Sequence, residues 1–297
     1  MGGDRYRSGF VALAGRPNAG KSTLLNRLIG EKVAIVSDKP QTTRAQIRGV
    51  LTRDEGQIVF VDTPGIHKPG YKLNRRMMSA ASDALSTADL VMLVVDATQP
   101  MGSGDGFVLN LLRKIDKPIF LVPNKVDALK DKARLLPLIA RYAAEREFAE
   151  VVPISALSGD GVDLLIQKTL ERLPEGPALY PEDAMTDQPE RALVAELVRE
   201  KILEMTQEEI PYVTAVLTER WQDEDSTTII HCQVIVERPS HRSIILGRGG
   251  ERLKQIGVTA RRDIEKLLGR HVFLNLFVKV REHWRDDPRA LDELDIR

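Results

Sequence analysis

Gly15 and Gly20 stand five positions apart, and Lys21 and Ser22 follow at once, in the run Gly15-Arg16-Pro17-Asn18-Ala19-Gly20-Lys21-Ser22. That spacing is the phosphate-binding pattern G-x-x-x-x-G-K-[ST]. Glycines at these points let the backbone curl so that successive N–H groups face phosphate oxygens, and a helix starting there adds partial positive charge. Lys21 would reach the β- and γ-phosphates, and the Ser22 hydroxyl would ligate Mg²⁺. Asn18, Ala19, Gly20 and Thr23 complete the cradle.

Three further clusters carry chemistry that a bound nucleotide needs. Asp62-Thr63-Pro64-Gly65 offers a carboxylate that can hold Mg²⁺ through water and a glycine N–H free to approach a γ-phosphate. Asn124-Lys125-Val126-Asp127 places a carboxylate where it can accept two hydrogen bonds from a purine bearing N1–H and a 2-amino group. Guanine has both donors and adenine neither, so an unmatched Asp127 would penalise ATP and select GTP. Asn124 would brace this loop against the phosphate loop, while the Lys125 stem covers the base. In Ser155-Ala156-Leu157 the Ala156 N–H can donate to the guanine O6.

Elements able to position these groups alternate from residue 9 to about 172. Apolar runs at Val11–Ala14, Ile58–Val61, Leu90–Val95, Ile119–Val122 and Val151–Ile154 read as buried strands. The amphipathic stretches Asn74–Leu85, Phe107–Ile115, Lys132–Arg146 and Val162–Leu173 read as helices between them. Continuous apolar strands separated by helices predict a mostly parallel sheet covered on both faces, with ligands gathered at the strands' carboxyl ends. All four clusters fall at such ends.

In this order, the motifs resemble those of the translation-factor-like small GTPases. That resemblance makes Ser37–Arg44 the first switch segment and Thr63–Met78 the second. It implies that Thr43, in preference to Thr42, completes the Mg²⁺ shell with Ser22 and Asp62. Lys21, Thr43 and Gly65 are then the residues expected to act on the γ-phosphate. Many such enzymes orient the attacking water with a glutamine after D-x-x-G, but here the position is Ile66, which cannot hydrogen-bond water. Slow intrinsic turnover follows, because phosphoryl transfer depends on positioning and charge stabilisation. Compensation would come from an arginine supplied in trans or from a cation. Similar enzymes with Asn at the position of Asn18 look potassium-activated, so Asn18 reads either as a K⁺ ligand, beside the expected Mg²⁺ and GTP/GDP, or as a residue that only shapes the loop. His67 reads as a surface switch residue.

Residues 173–189 hold four prolines and no periodicity, which predicts a semi-rigid linker. Beyond it, Glu190–Glu209 has one apolar helical face, Val213–Leu217 and Thr227–Val236 alternate as strands, and Ser243–Leu246 leads into Gly247-Arg248-Gly249-Gly250. A helix over Glu251–Leu268 and a strand over Val272–Val280 finish the order α-β-β-α-α-β. This order, with G-x-x-G between two helices, resembles a type II KH domain, which clamps about four nucleotides of single-stranded RNA. From Arg238 to Arg281 there are 11 Lys/Arg against 3 Asp/Glu, within a region (181–297) whose net charge is −5. A basic stripe confined to the G-x-x-G face is the footprint of phosphate contact. Arg242, Gly247, Arg248, Gly249, Gly250, Arg252 and Lys254 are the expected RNA contacts, and Ile244, Ile245 and Ile256 read either as walls of a groove for bases or as plain core. Trp284 reads either as a stacking platform or as a cap on the domain.

The whole chain balances 43 Lys+Arg with 43 Asp+Glu, so net charge identifies no partner. A single cysteine, Cys232, excludes a disulfide framework, and its strand pattern makes it a small core residue. Without an apolar signal segment or membrane span, a cytoplasmic protein is expected. The combined expectation is α/β: a P-loop GTPase domain with a mostly parallel sheet (1–173), a linker (174–189) and an α+β type II KH domain with an acidic tail (190–297). A GTPase domain joined to such a domain resembles the bacterial ribosome-assembly GTPases. That resemblance implies binding to 16S ribosomal RNA near its 3′ end and a role in maturing the small subunit, and nothing in the sequence suggests more than a monomer. Two alternatives are a GTP-gated RNA chaperone with incidental hydrolysis and a peripheral membrane or cell-cycle GTPase.

Overall fold

The computed structural model describes residues 6–39, 42–65 and 71–296. Packing divides the chain into two compact units. The first comprises Met1–Ala34, Pro40–Pro69 and Met77–Asp187; the second comprises Ile35–Lys39, Gly70–Arg76 and Gln188–Arg297.

The first unit contains strands β1 (Arg7–Ala14), β2 (Ile47–Arg53), β3 (Gly56–Asp62), β4 (Leu90–Asp96), β5 (Ile119–Asn124) and β6 (Glu150–Val151). They form one sheet in the order β2-β3-β1-β4-β5-β6, parallel throughout except for β2 against β3. The helices are α1 (Lys21–Ile29), α2 (Lys72–Thr87, of which Met77 onward belongs to this unit), α3 (Ser103–Leu112), α4 (Leu135–Ala143) and α5 (Val162–Arg172). Leu24, Leu25 and Leu28 of α1 and Leu165 of α5 bury one face of the sheet with Val11 and Leu13. On the other face Ala81, Ala84, Val108, Leu112 and Tyr142 meet Ala12, Ala14 and Val91. Residues alternating along one strand thus enter two cores, which is why the strands read as unbroken apolar runs.

β2 has no counterpart among the expected strands. It lies at the sheet edge with arginines at Arg48 and Arg53, so it lacks the apolar run that marks its neighbours. Gly49 lets α1 pack close there, since a Cβ would come within 2.7 Å of Leu25 Cδ1 and displace it. β6 is only two residues long and starts one residue before the expected run.

The second unit contains α6 (Glu190–Met205), a short helix α7 (Ile210–Val213), β7 (Ala215–Glu224), β8 (Thr227–Val236), α8 (Pro239–Leu246), α9 (Glu251–Leu268), β9 (His271–Val280) and α10 (Pro288–Glu293). β7 and β8 pair antiparallel, whereas β9 runs parallel to β8 because the α8–α9 pair forms the crossover. β7 begins after Val213 and continues through Glu224; a bulge between Thr218 and Arg220 broke the alternation from which its end was read. Val194, Val198, Ile202, Ile230, Cys232, Val234, Ile256, Ala260 and Ile264 make the core. Burial raises the Cys232 thiol pKa to about 11, which fits an inert core residue. Trp284 is fully buried and donates from Nε1 to the Val213 carbonyl at 2.9 Å, so it caps the domain and offers no stacking surface.

Candidate functional site

The loop after β1 has the curled backbone that its glycines were expected to give. Gly15 and Gly20 have φ of 154° and 95°, and a Cβ at Gly20 would sit 2.2 Å from Asn124 Nδ2. No larger residue fits there. Lys21 opens α1 and is buried, with Nζ donating to the Gly15 and Arg16 carbonyls at 3.2 and 3.3 Å. Burial pulls its pKa down, and Asp62 opposes that pull.

Three groups expected around Mg²⁺ converge. Ser22 Oγ donates to Asp62 Oδ2 at 2.6 Å, Thr43 Oγ1 donates to the same oxygen at 3.2 Å, and the two hydroxyls lie 2.9 Å apart. Asp62 ends β3, completely buried, and Ile47 of β2 faces it in register. Burial pushes its pKa up, opposed by Lys21 and by the hydrogen bonds from Ser22 and Thr43. Its second oxygen, Oδ1, is buried without a hydrogen-bond partner among the described residues. A buried carboxylate with one orphaned oxygen is costly unless a cation completes it, so the residues present fit Mg²⁺. Among the described residues no group of three or more His, Cys, Asp or Glu converges on a metal position. The remaining ligands must therefore be water and phosphate oxygens, as is usual for Mg²⁺.

The base side is braced through Asn124, at the end of β5. Its Nδ2 donates to the Ala19 carbonyl at 2.9 Å, and its Oδ1 accepts from the N–H groups of Lys125 and Ala156 at 2.8 and 2.9 Å. One side chain thus ties the phosphate loop to both base loops. The Ala156 N–H, expected on the guanine O6, is directed at Asn124 here. Lys125 adopts φ of 67° and its Nζ reaches the Asn18 carbonyl at 2.8 Å and Asp96 Oδ2 at 2.7 Å. Asp127 is exposed on the next turn, Val126–Ala128, open to a ligand, while Ser155 is buried and Leu157 is exposed. Gly65 lies against Pro17, where a Cβ would be 2.9 Å from Pro17 Cγ. Thr23, next in α1, is half-buried. Gln41, Ile66 and His67 lie outside the described residues.

Sequence reasoning missed three supports. Asp96 ends β4 and anchors Lys125; burial alone would raise its pKa, but hydrogen bonds from Lys125 and Thr98 outweigh that and hold it low. Asp105, buried in α3, pairs with Arg16 at 3.3 Å. Arg27 of α1 donates to the carbonyls of Ala156, at 3.1 Å, and Leu157. Asp96 was detectable, as a carboxylate closing an apolar strand like Asp62; the other two act only through tertiary contact.

In the second unit, Gly247, Gly249 and Gly250 have φ of 70°, 61° and 83°. A Cβ at Gly247 would lie 2.8 Å from Arg252 Cβ. Arg252 Nη1 donates to the Ile244 carbonyl across the turn. Arg242, Arg248 and Lys254 are exposed around it. Ile244 is 38 % exposed, as a groove wall requires, but Ile245 and Ile256 are fully buried. Assigning Ile245 to the groove is therefore corrected: helix α8 turns Ile245 and His241, four residues apart, into the core. Arg270 pairs with Asp223 at 3.3 Å, away from the turn.

A glycine loop with a buried lysine, a hydroxyl–carboxylate Mg²⁺ set and an Asn124-braced base pocket defines a guanine-nucleotide hydrolase, here followed by a KH domain. Family models agree: one described as a 50S ribosome-binding GTPase matches residues 10–125, and one described as a KH domain matches residues 209–285. The chain is 48% identical over 295 residues to GTPase Era of Trichlorobacter lovleyi, covering 99% of each. It is 49% identical over 290 residues to GTPase Era of Lacticaseibacillus paracasei, covering 97% of this chain and 96% of that one. Aquifex aeolicus Era bound to GDP·AlF4⁻ superposes with a TM-score of 0.93 at 40% identity over 98% of this chain and 99% of that one. Era in complex with MgGDPNP and nucleotides 1506–1542 of 16S ribosomal RNA gives 0.94 at the same identity and coverage. The chain belongs to the Era family of GTPases.

Proposed function

We propose that this GTPase is a switch joined to a single-stranded RNA clamp, acting on 16S ribosomal RNA near its 3′ end during small-subunit assembly. The observation that carries the switch is the meeting of Thr43, from the first switch segment, with Ser22 and Asp62. Mg²⁺ held by these oxygens would neutralise charge on the β- and γ-phosphates. Lys21, whose Nζ rests on loop carbonyls, has the β- and γ-phosphates as its alternative partners, and the Gly65 N–H would approach the γ-phosphate. Asp127 accepts from guanine N1–H and the 2-amino group. Loss of the γ-phosphate removes the reason for Thr43 and Gly65 to hold their positions, so both switch segments relax on hydrolysis.

The clamp reading rests on Gly247–Gly250, whose left-handed backbone lets a sugar-phosphate chain approach, with Arg242, Arg248, Arg252 and Lys254 as its cations. The domain division 1–173, 174–189 and 190–297 belongs to this reading, as do a monomeric state and a cytoplasmic location. Among the described residues no helix is long and apolar enough to cross a membrane. Asn18, at φ of 63° in the phosphate loop, is the candidate ligand for an activating K⁺; turnover in KCl should exceed that in NaCl at matched ionic strength, and equal rates would reject it.

Linkage requires that GTP and RNA raise each other's affinity by one factor. The test is the dissociation constant of a 16S fragment spanning 1506–1542, measured with GDPNP and then with GDP, alongside anionic vesicles. Tighter RNA binding with GDPNP and no vesicle binding is the expected result. Equal RNA affinity in the two states contradicts the switch, and vesicle binding in place of RNA binding contradicts the clamp.

A further inference from the structure

The stretch after α5, expected to be a linker, is bonded along the first unit. Ser8 Oγ donates to the Pro177 carbonyl at 2.6 Å, and Gly176 N–H donates to the Tyr6 carbonyl at 3.0 Å. Gln57, in β3 and completely buried, is spent almost wholly on this segment. Its Oε1 accepts from the N–H groups of Leu179 and Tyr180 at 2.8 and 2.9 Å, and its Nε2 donates to the Tyr180 carbonyl and to Thr52 Oγ1, both at 3.0 Å. Farther along, the segment closes the open edge of β2. Val50 N–H donates to the Met185 carbonyl at 2.9 Å, Gly49 and Thr186 form a bridge, Thr186 Oγ1 donates to the Arg48 carbonyl at 2.6 Å, and Arg48 pairs with Asp187 at 2.8 Å. Residues 174–187 are thus a strap that satisfies an edge strand's free backbone groups.

Both strands the strap grips lead to the γ-phosphate sensors. β2 begins three residues after Arg44 and four after Thr43, and Ile47 at its start faces Asp62. β3 carries Asp62 at one end and Gln57 near the other. The strap itself ends at Asp187, three residues before α6 opens the second unit at Glu190. Hydrogen-bonded strands move as units, since a shift of register or tilt at one end cannot be absorbed between paired residues without losing bonds.

We propose that the strap is the coupling element: the nucleotide-dependent state of Thr43 and Asp62 is passed along β2 and β3 to residues 179–187 and from there into the chain entering the RNA-binding unit. The proposal rests on the GTP–RNA coupling proposed above. Gln57, Arg48, Thr186 and Asp187 are positioning residues in this scheme, and none is placed at the nucleotide.

The test uses the full chain and the ratio of RNA dissociation constants in GDP and GDPNP, for wild type, Thr186→Val, Arg48→Ala with Asp187→Ala, and Gln57→Leu. Coupling of this kind typically amounts to about 5–150-fold. The strap variants are expected to bring the ratio to within about two-fold of unity, while basal GTP hydrolysis and GDP affinity stay at wild-type values. A wild-type ratio above unity that all folded variants retain overturns the strap as the route. A wild-type ratio of one overturns the coupling reading itself, and that result is visible before any variant is made. Should Gln57→Leu fail to fold, the two surface variants decide. Hydrogen exchange gives an independent readout: the amides of Leu179, Tyr180 and Val50 should change protection between GDP and GDPNP, and identical exchange in both states also overturns the proposal.

Discussion

The chain contains two glycine loops at helix N-termini, built on opposite principles. Around Gly15–Ser22 the charged groups are inside: Lys21 is 6 % exposed and Asp62 not at all. Each is held by named partners, and both carry pKa values displaced by burial. Around Gly247–Gly250 the charges are outside. Arg242, Arg248 and Lys254 are exposed, and Arg252 is tied back to the Ile244 carbonyl. A preorganised, desolvated site gains much from one ligand of fixed geometry and suffers greatly when a member is lost. An open basic turn gains a little from each phosphate and tolerates loss. Chemistry needs the first arrangement, and gripping a flexible strand needs the second.

The contrast is sharpest for single charge deletions. Lys21→Met should lower GTP turnover by about 10²–10³-fold, whereas Arg248→Ala should leave basal turnover unchanged. Arg248→Ala should instead weaken RNA binding and reduce the salt slope by about 0.7, the share of one phosphate contact on a single strand. Steady-state hydrolysis and a salt titration of RNA binding check the pair; a large turnover loss in Arg248→Ala would break the comparison.

A backbone change should be felt in the open loop despite its exposure. Gly247 has φ of 70° and ψ of −177°, a region essentially reserved for glycine, and a Cβ would press on Arg252. Gly247→Ala should cost about 1–3 kcal/mol of stability and weaken RNA binding. Gly249→Ala, with nothing within 4 Å of its added Cβ, should cost less. Denaturant unfolding of the two variants ranks them, and equal losses would argue against close packing at Gly247.

The smallest expected effect concerns the empty-handed state of the buried site. Burial raises the Asp62 pKa, so the folded protein binds that proton more tightly than the unfolded chain does. Its ionisation then costs stability as pH rises through the folded value, and the cost is absent below the unfolded value. Without nucleotide or Mg²⁺, Asp62→Asn should be at least as stable as wild type at pH 7. The difference should turn in favour of wild type as pH falls toward 4. Thermal unfolding across that range measures it, and a pH-independent difference would contradict the assigned cause.

Most of the convergence of the candidate nucleotide site was legible because its residues recur at fixed spacings beside apolar strands. Gly15, Lys21, Ser22, Asp62 and Asn124 follow one another at strand ends, and the buried strands announce themselves as apolar runs. β2 and the strap were not legible. An edge strand carrying Arg48 and Arg53 has no apolar period, and residues 174–187 look like a linker because their backbone is satisfied by Gln57 and β2 and not by one another. Ile245 was misplaced for a related reason. A four-residue window, Ser243–Leu246, hid the full helix Pro239–Leu246, whose turn decides which isoleucine faces in.

One loop offers phosphate buried, preorganised groups and the other offers it exposed charge. Titrating NaCl from 50 to 300 mM at fixed KCl while measuring MgGDP and the 1506–1542 RNA on the same protein tests it directly. The RNA constant should weaken log-linearly, with a slope of about −0.7 for each phosphate contacted, and the MgGDP constant should change far less. Parallel salt dependence for the two ligands would contradict the account.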